Sequence, residues 1–152
     1  MLFSFPLKSL ASEGSFLKYS VSASDKFATQ KGLSFGYQEE ILFLDVKWEA
    51  GFWADNSGRQ GAKSSAFGSY SVGLEPTVGS FYVNFFQGVG LITHPDTVLG
   101  GPFQFFEDIG LGIRDLERGI SIGLQYKHIS SAGIFQPNLG RDTFGIQLMI
   151  PW

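Results

Sequence analysis

The chain contains no cysteine. A disulfide framework, a thiolate nucleophile and a zinc–thiolate centre are excluded together. Charge is scarce as well. Charged residues are 16% of the 152 positions, against roughly a quarter in ordinary soluble domains. No apolar run reaches the ~18 residues that a membrane-spanning helix needs. The net charge of −3 leaves no basic patch, which disfavours nucleic acid as a partner. The segment Met1-Leu2-Phe3-Ser4-Phe5-Pro6-Leu7 has no basic n-region and only a short, interrupted apolar run. A signal peptide is therefore not recognised, and the chain is expected to be a mature protein with a start Met or a trimmed form of one. The 2 histidines are accompanied by no ligand cluster, so neither a metal nor a cofactor is expected. What the chain does have is 16 Phe and 20 Gly. Few charges, many aromatics and no long apolar run fit a β-barrel with one face against lipid.

Alternation supplies the strands. Side chains in a strand have a period of two, so every second residue shares a face. Alternating segments fall at 15–24, 31–39, 41–54, 65–77, 79–92, 103–114, 118–131 and 142–152. In 41–54, Leu42, Leu44, Val46, Trp48, Ala50 and Phe52 share one parity, and Phe43, Asp45, Lys47, Glu49 and Gly51 share the other. Tight connections at Glu39-Glu40, Thr77-Val78-Gly79 and 115–118 alternate with longer polar ones at 25–30, 54–64, 93–102 and 131–141. This is the rhythm of an outer-membrane barrel. The expected fold is all-β, an eight-stranded antiparallel transmembrane β-barrel spanning 14–152. Residues 1–13 are expected to form an N-terminal segment on the periplasmic side.

Polarity of the faces follows. One parity collects Asp45, Glu49, Glu75 and Asp108 with Lys18, Lys47, Arg114 and Lys127. An eight-stranded barrel is just wide enough to be filled by side chains, so these groups are expected inside as a paired polar network. Leu44, Val46, Trp48, Leu74, Val83, Leu111, Leu124 and Leu148 are expected outside, with Trp48, Phe52, Tyr126 and Trp152 in an aromatic girdle. A soluble lipocalin-like binder would need the opposite polarity. Gly88-Val89-Gly90 and Gly110-Leu111-Gly112 lie inside strands with no helix following, which rules out a dinucleotide loop. His94 reads as a solvated loop residue.

Two apolar stripes end in polar groups. Ile120, Ile122, Leu124 and Tyr126 run into His128 and Ser130 on one face. The final strand begins with Asp142 and continues on that parity through Phe144, Ile146, Leu148 and Ile150. A polar group facing hydrocarbon is costly unless paired. A hydroxyl, an imidazole and a carboxylate at one end of an apolar wall suit acyl transfer. Ser130 is the candidate nucleophile, His128 its base and Asp142 the acid that orients the imidazole. The intervening loop could supply oxyanion donors, with N–H groups near Gly133 and the Asn138 amide the best placed.

The run His128-Ile129-Ser130-Ser131-Ala132-Gly133, followed by Gln136-Pro137-Asn138, resembles the signature of outer-membrane lipid A 3-O-deacylases of the PagL type. Phe106-Glu107-Asp108-Ile109-Gly110-Leu111-Gly112 and the terminal Met149-Ile150-Pro151-Trp152 are similar too. The resemblance implies an eight-stranded barrel in the bacterial cell outer membrane, surrounded by its lipid. It implies hydrolysis of the ester-linked 3-hydroxy fatty acid at position 3 of lipid A. It carries over Ser130, His128 and Asp142 as the triad, and Gly133 and Asn138 as the oxyanion hole. Two positions depart from the family pattern. Asp142 stands where the family has Glu, and Ser131 where it has Asn. Glu107 is a second choice for the acid. The competing reading is a non-catalytic barrel with a structural or adhesive role, and pairing of two barrels as a homodimer stays open.

Overall fold

A computed structural model describes residues 13–22, 30–55, 64–95 and 99–151. Strands are β1 (Gly14–Ser22), β2 (Gln30–Ile41), β3 (Leu44–Asp55), β4 (Ser65–Leu74), a two-residue β5 (Thr77–Val78), β6 (Phe81–Ile92), β7 (Phe103–Arg114), β8 (Ser121–Ser130) and β9 (Arg141–Pro151). All pairings are antiparallel. The order β4-β3-β2-β1-β9-β8-β7-β6 closes through a β4–β6 pairing. The eight long strands thus form a barrel with no free edge, and β5 is an appendage on β6. Residues 1–12 and Trp152 lie outside the described residues, and so do the expected N-terminal segment and the last girdle member.

The faces are as the parity predicts. All eight expected interior charges are buried. Glu49 and Asp108 sit at the centre among Lys18, Lys47 and Lys127, with Lys47 2.5 Å and Lys127 2.7 Å from their nearest carboxylate oxygens. Toward the short-turn end, Glu75 takes hydrogen bonds from Gln38, Asn84 and Arg114. At the long-loop end an apolar cap of Trp53, Phe67, Ile92, Leu99, Phe106 and Ile129 closes the interior. Trp53 stacks on Phe67 at 4.1 Å, and Phe67 on Phe106 at 5.9 Å.

The outer wall is apolar. Leu33, Phe35, Trp48, Phe52, Leu74, Val83, Leu111, Leu124 and Leu148 are exposed to the surroundings. Val46 has the outward parity but is only 9% exposed, seated between Glu39 and Val72 in register. Leu124→Arg is therefore the cleaner probe of the wall. It is expected to cost about 2–4 kcal/mol if the position is near a bilayer midplane. Urea unfolding from lipid or detergent reads that cost directly.

One turn differs from the sequence reading. The β2–β3 connection is not Glu39-Glu40 but Leu42-Phe43, and Glu39 and Glu40 are paired strand residues. Phe43 therefore belongs to no inward stripe. Turn signals are normally Gly, Asn or Asp, because one turn residue adopts positive φ. Here Leu42 does so, at φ 65°, and its side chain is 88% exposed. With Phe43, Val78 and Phe81 it makes the short-turn rim apolar.

Candidate active site

β8 and β9 form a hairpin in which His128 and Asp142 are direct cross-strand partners. Both side chains point outward, and both are part-exposed. His128 Nδ1 lies 2.7 Å from Asp142 Oδ1. A carboxylate accepts, so Nδ1 carries the hydrogen and Nε2 of the neutral ring is left with a lone pair. The Tyr126 hydroxyl donates to the same Oδ1, also at 2.7 Å. The shorter acid thus reaches the imidazole because the ladder register sets the two residues opposite each other.

Ser130 is on the same face, one row nearer the long loops, where it pairs with Phe105 of β7. Two strand residues advance about 6.6 Å, so the hydroxyl is a neighbour of the ring. No hydrogen bond joins Ser130 to His128 among the described residues. Such contacts are often loose until substrate is bound. Ile129, between them, is fully buried in the interior cap, which anchors this stretch of β8.

The loop after β8 is folded tightly over the strand end. Ser131 is fully buried. Its N–H donates to Asn138 Oδ1 at 2.8 Å, and its carbonyl accepts from Ile134 N–H at 2.9 Å. Its hydroxyl donates to the Phe135 carbonyl at 3.2 Å and accepts the Phe135 N–H at 3.4 Å. Ser131, which departs from the family pattern, is thus a bracket for the loop. With Asn138 Oδ1 occupied, the Asn138 amide NH₂ is the end left for a ligand. Ala132 and Gly133 both have positive φ, and the exposed Gly133 N–H has no acceptor among the described residues.

Sequence reasoning missed Tyr126 as a partner of the acid, having assigned it to the girdle. Its signal was available, since it shares the parity of His128. It also missed Gly140. This residue has φ 69°, and a Cβ there would lie 2.7 Å from His128 Cε1 and 3.3 Å from Nε2. A side chain there would crowd the edge of the imidazole that carries Cε1 and Nε2. Glu107, the alternative acid, pairs with His128 from the β7 side, but the ring contacts Asp142 instead.

Beside Ser130 the outer wall opens into a groove of about 340 Å³ between β6, β7 and the start of the loop. Gln87, Val89, Phe105, Glu107 and Ala132 line it with Ser130. No group of three or more His, Cys, Asp or Glu suited to a metal occurs among the described residues.

The family described as lipid A 3-O-deacylase (PagL) matches residues 18–151. The chain belongs to that family. Over 110 residues it is 28% identical to the lipid A deacylase PagL of Pseudomonas aeruginosa, covering 68% of this chain and 63% of the relative. Over 109 residues it is 36% identical to the lipid A deacylase PagL of Bordetella bronchiseptica, covering 65% of this chain and 58% of the relative. The match thus spans about three fifths of these PagL relatives. The crystal structure of the outer membrane enzyme PagL superposes with a TM-score of 0.69 at 21% identity, over 90% of this chain and 99% of that one. The barrel is the PagL fold, and the His128, Ser130 and Asp142 arrangement lies within the matched region.

Proposed function

We propose that this chain is an outer-membrane esterase that releases the 3-O-linked 3-hydroxy fatty acid of lipid A. The observation that carries this reading is the 2.7 Å contact between His128 and Asp142 on a mostly apolar outer wall, next to Ser130. An imidazole held by its Nδ1 has Nε2 free to work as a base. A barrel embedded in lipid keeps that base at the membrane boundary, where an acyl ester of a glycolipid lies.

The chemistry proceeds in two halves. Ser130 Oγ attacks the ester carbonyl while His128 Nε2 takes its proton. The carbonyl oxygen becomes an oxyanion, which accepts hydrogen bonds from the Gly133 N–H and the Asn138 amide on this reading. Collapse breaks the bond to the sugar oxygen, and His128 returns the proton to that oxygen. Water, deprotonated by His128, then attacks the acyl-serine and frees the hydroxy acid. Asp142 keeps the imidazole in the working tautomer and stabilises its charged form, with Tyr126 steadying Asp142. The groove beside Ser130 takes the start of the acyl chain.

The test is direct. The barrel, folded in detergent and mixed with lipid A, should yield free 3-hydroxy fatty acid and a lipid lighter by one acyl chain by mass spectrometry. If every chain stays in place, a non-catalytic barrel replaces this reading. Gly140→Ala supplies a second check. Its Cβ would push the imidazole aside, and turnover should fall by on the order of 10²-fold. Heat-modifiable gel migration should stay normal, which separates the loss from misfolding.

A further inference from the structure

A second groove opens in the outer wall, on the far side of β6 from the one at Ser130. It holds about 420 Å³ between β4, β6 and the β6–β7 connection, and Ala66, Gly68, Leu91, Thr93 and Pro102 line it. Gly68 makes the opening. Among the described strand glycines it alone has the outward parity. The inward ones are crowded, and a Cβ at Gly32, Gly51 or Gly110 would run into interior side chains. A Cβ at Gly68 would meet nothing within 4 Å. Its cross-strand partners are Ala50 of β3 and the exposed Leu91 of β6. A glycine inside a strand weakens it, and often marks a place where a ligand approaches the backbone closely. The interior packing that explains the other strand glycines does not explain this one.

The mouth of the groove, at its long-loop end, is polar. Thr93 Oγ1 accepts the Ala66 N–H at 3.1 Å and lies 3.1 Å from His94 Nδ1. The His94 N–H donates to Ser65 Oγ at 3.2 Å. His94, read from the sequence as a solvated loop residue, is thus tied to the end of the β4–β6 seam. An apolar trough with a few polar groups at its water-side end matches an acyl chain with a carbonyl at its head.

Position ties this groove to the reaction. Ser130 pairs with Phe105, Phe105 with Val89, and Val89 with Tyr70. Phe103, Leu91 and Gly68 form the next row toward the long loops, about 6.6 Å away. β6 is the ridge between the two grooves, with Val89 in the wall of one and Leu91 in the wall of the other. That ridge lies two strand spacings from β8, about 10 Å. Resting on the esterase reading, we propose that the Gly68 groove seats a second, uncleaved acyl chain of the same glycolipid while the scissile ester lies at Ser130. The chain runs over the bare backbone at Gly68, beside Leu91, with its carbonyl end toward Thr93 and His94. Holding a non-reacting part of a substrate positions the reacting part. The groove therefore favours lipids with several chains over lipids with one.

The experiment compares lipid A with a glucosamine lipid that carries the 3-O-acyl chain alone, both in the same detergent micelles. The wild-type barrel should favour lipid A in kcat/KM by on the order of 10-fold or more. Gly68→Leu fills the trough and should pull that ratio toward one, with the single-chain rate unchanged. Gly68→Ala should lower the ratio less. Heat-modifiable migration confirms that each variant is folded. A wild-type ratio near one, a ratio unchanged in Gly68→Leu, or equal slowing of both substrates overturns the inference and leaves the esterase intact. Cleavage of neither substrate by the wild-type protein overturns the esterase reading, and this inference with it.

Discussion

Ser130→Ala and His128→Ala should each stop release of the 3-hydroxy fatty acid while the barrel still folds. Loss of a general base alone lowers a rate by about 10²–10⁴. The two residues act on one proton, so the double variant should be hardly slower than either single one. Rates that multiply would show that Ser130 and His128 work independently, contrary to the shared-face geometry. Single-turnover assays on lipid A with the two single variants and the double variant check this.

Asp108→Leu should be the most damaging change to stability. Asp108 meets Lys47 at 2.5 Å, Lys18 at 3.4 Å and Lys127 at 3.7 Å, all deep in the barrel. Its loss leaves three buried ammonium groups to share Glu49. Breaking a buried ion pair by removing one partner costs about 3–5 kcal/mol, because the stranded charge remains desolvated. The aromatic faces of Phe67 and Phe106, 5.2 and 5.3 Å from Lys127 Nζ, soften this only in part. The urea midpoint of the folded barrel should fall markedly in Asp108→Leu. A midpoint close to that of the parent protein would show that the interior is wet enough to solvate the lysines.

Most of this architecture could be read from alternation alone, for a physical reason. A strand with lipid on one side and a packed polar interior on the other has two faces of opposite chemistry. Each residue's parity then declares its side, as Asp45, Lys47 and Glu49 do against Trp48 and Phe52. The candidate site stands out by the same rule, since His128, Ser130 and Asp142 interrupt apolar stripes. What escaped depended on facts that parity does not encode. Leu42 in a left-handed turn contradicts the usual turn chemistry, so the charged pair Glu39-Glu40 drew the boundary instead. Gly140 matters for a side chain it lacks, and its neighbour in space is 12 residues away in sequence. Ladder register, which aligns Gln87, Glu107, His128 and Asp142, depends on how far each hairpin slides, and alternation leaves that undetermined.

The filled interior has a consequence for how substrate arrives. Trp53, Phe67 and Phe106 close one end, and the lysine–carboxylate network occupies the middle. Among the described residues, side chains occupy the bore at both levels. On the esterase reading proposed above, the working surface is the flank of the barrel, so substrate reaches it sideways from the surrounding lipid and never enters the bore.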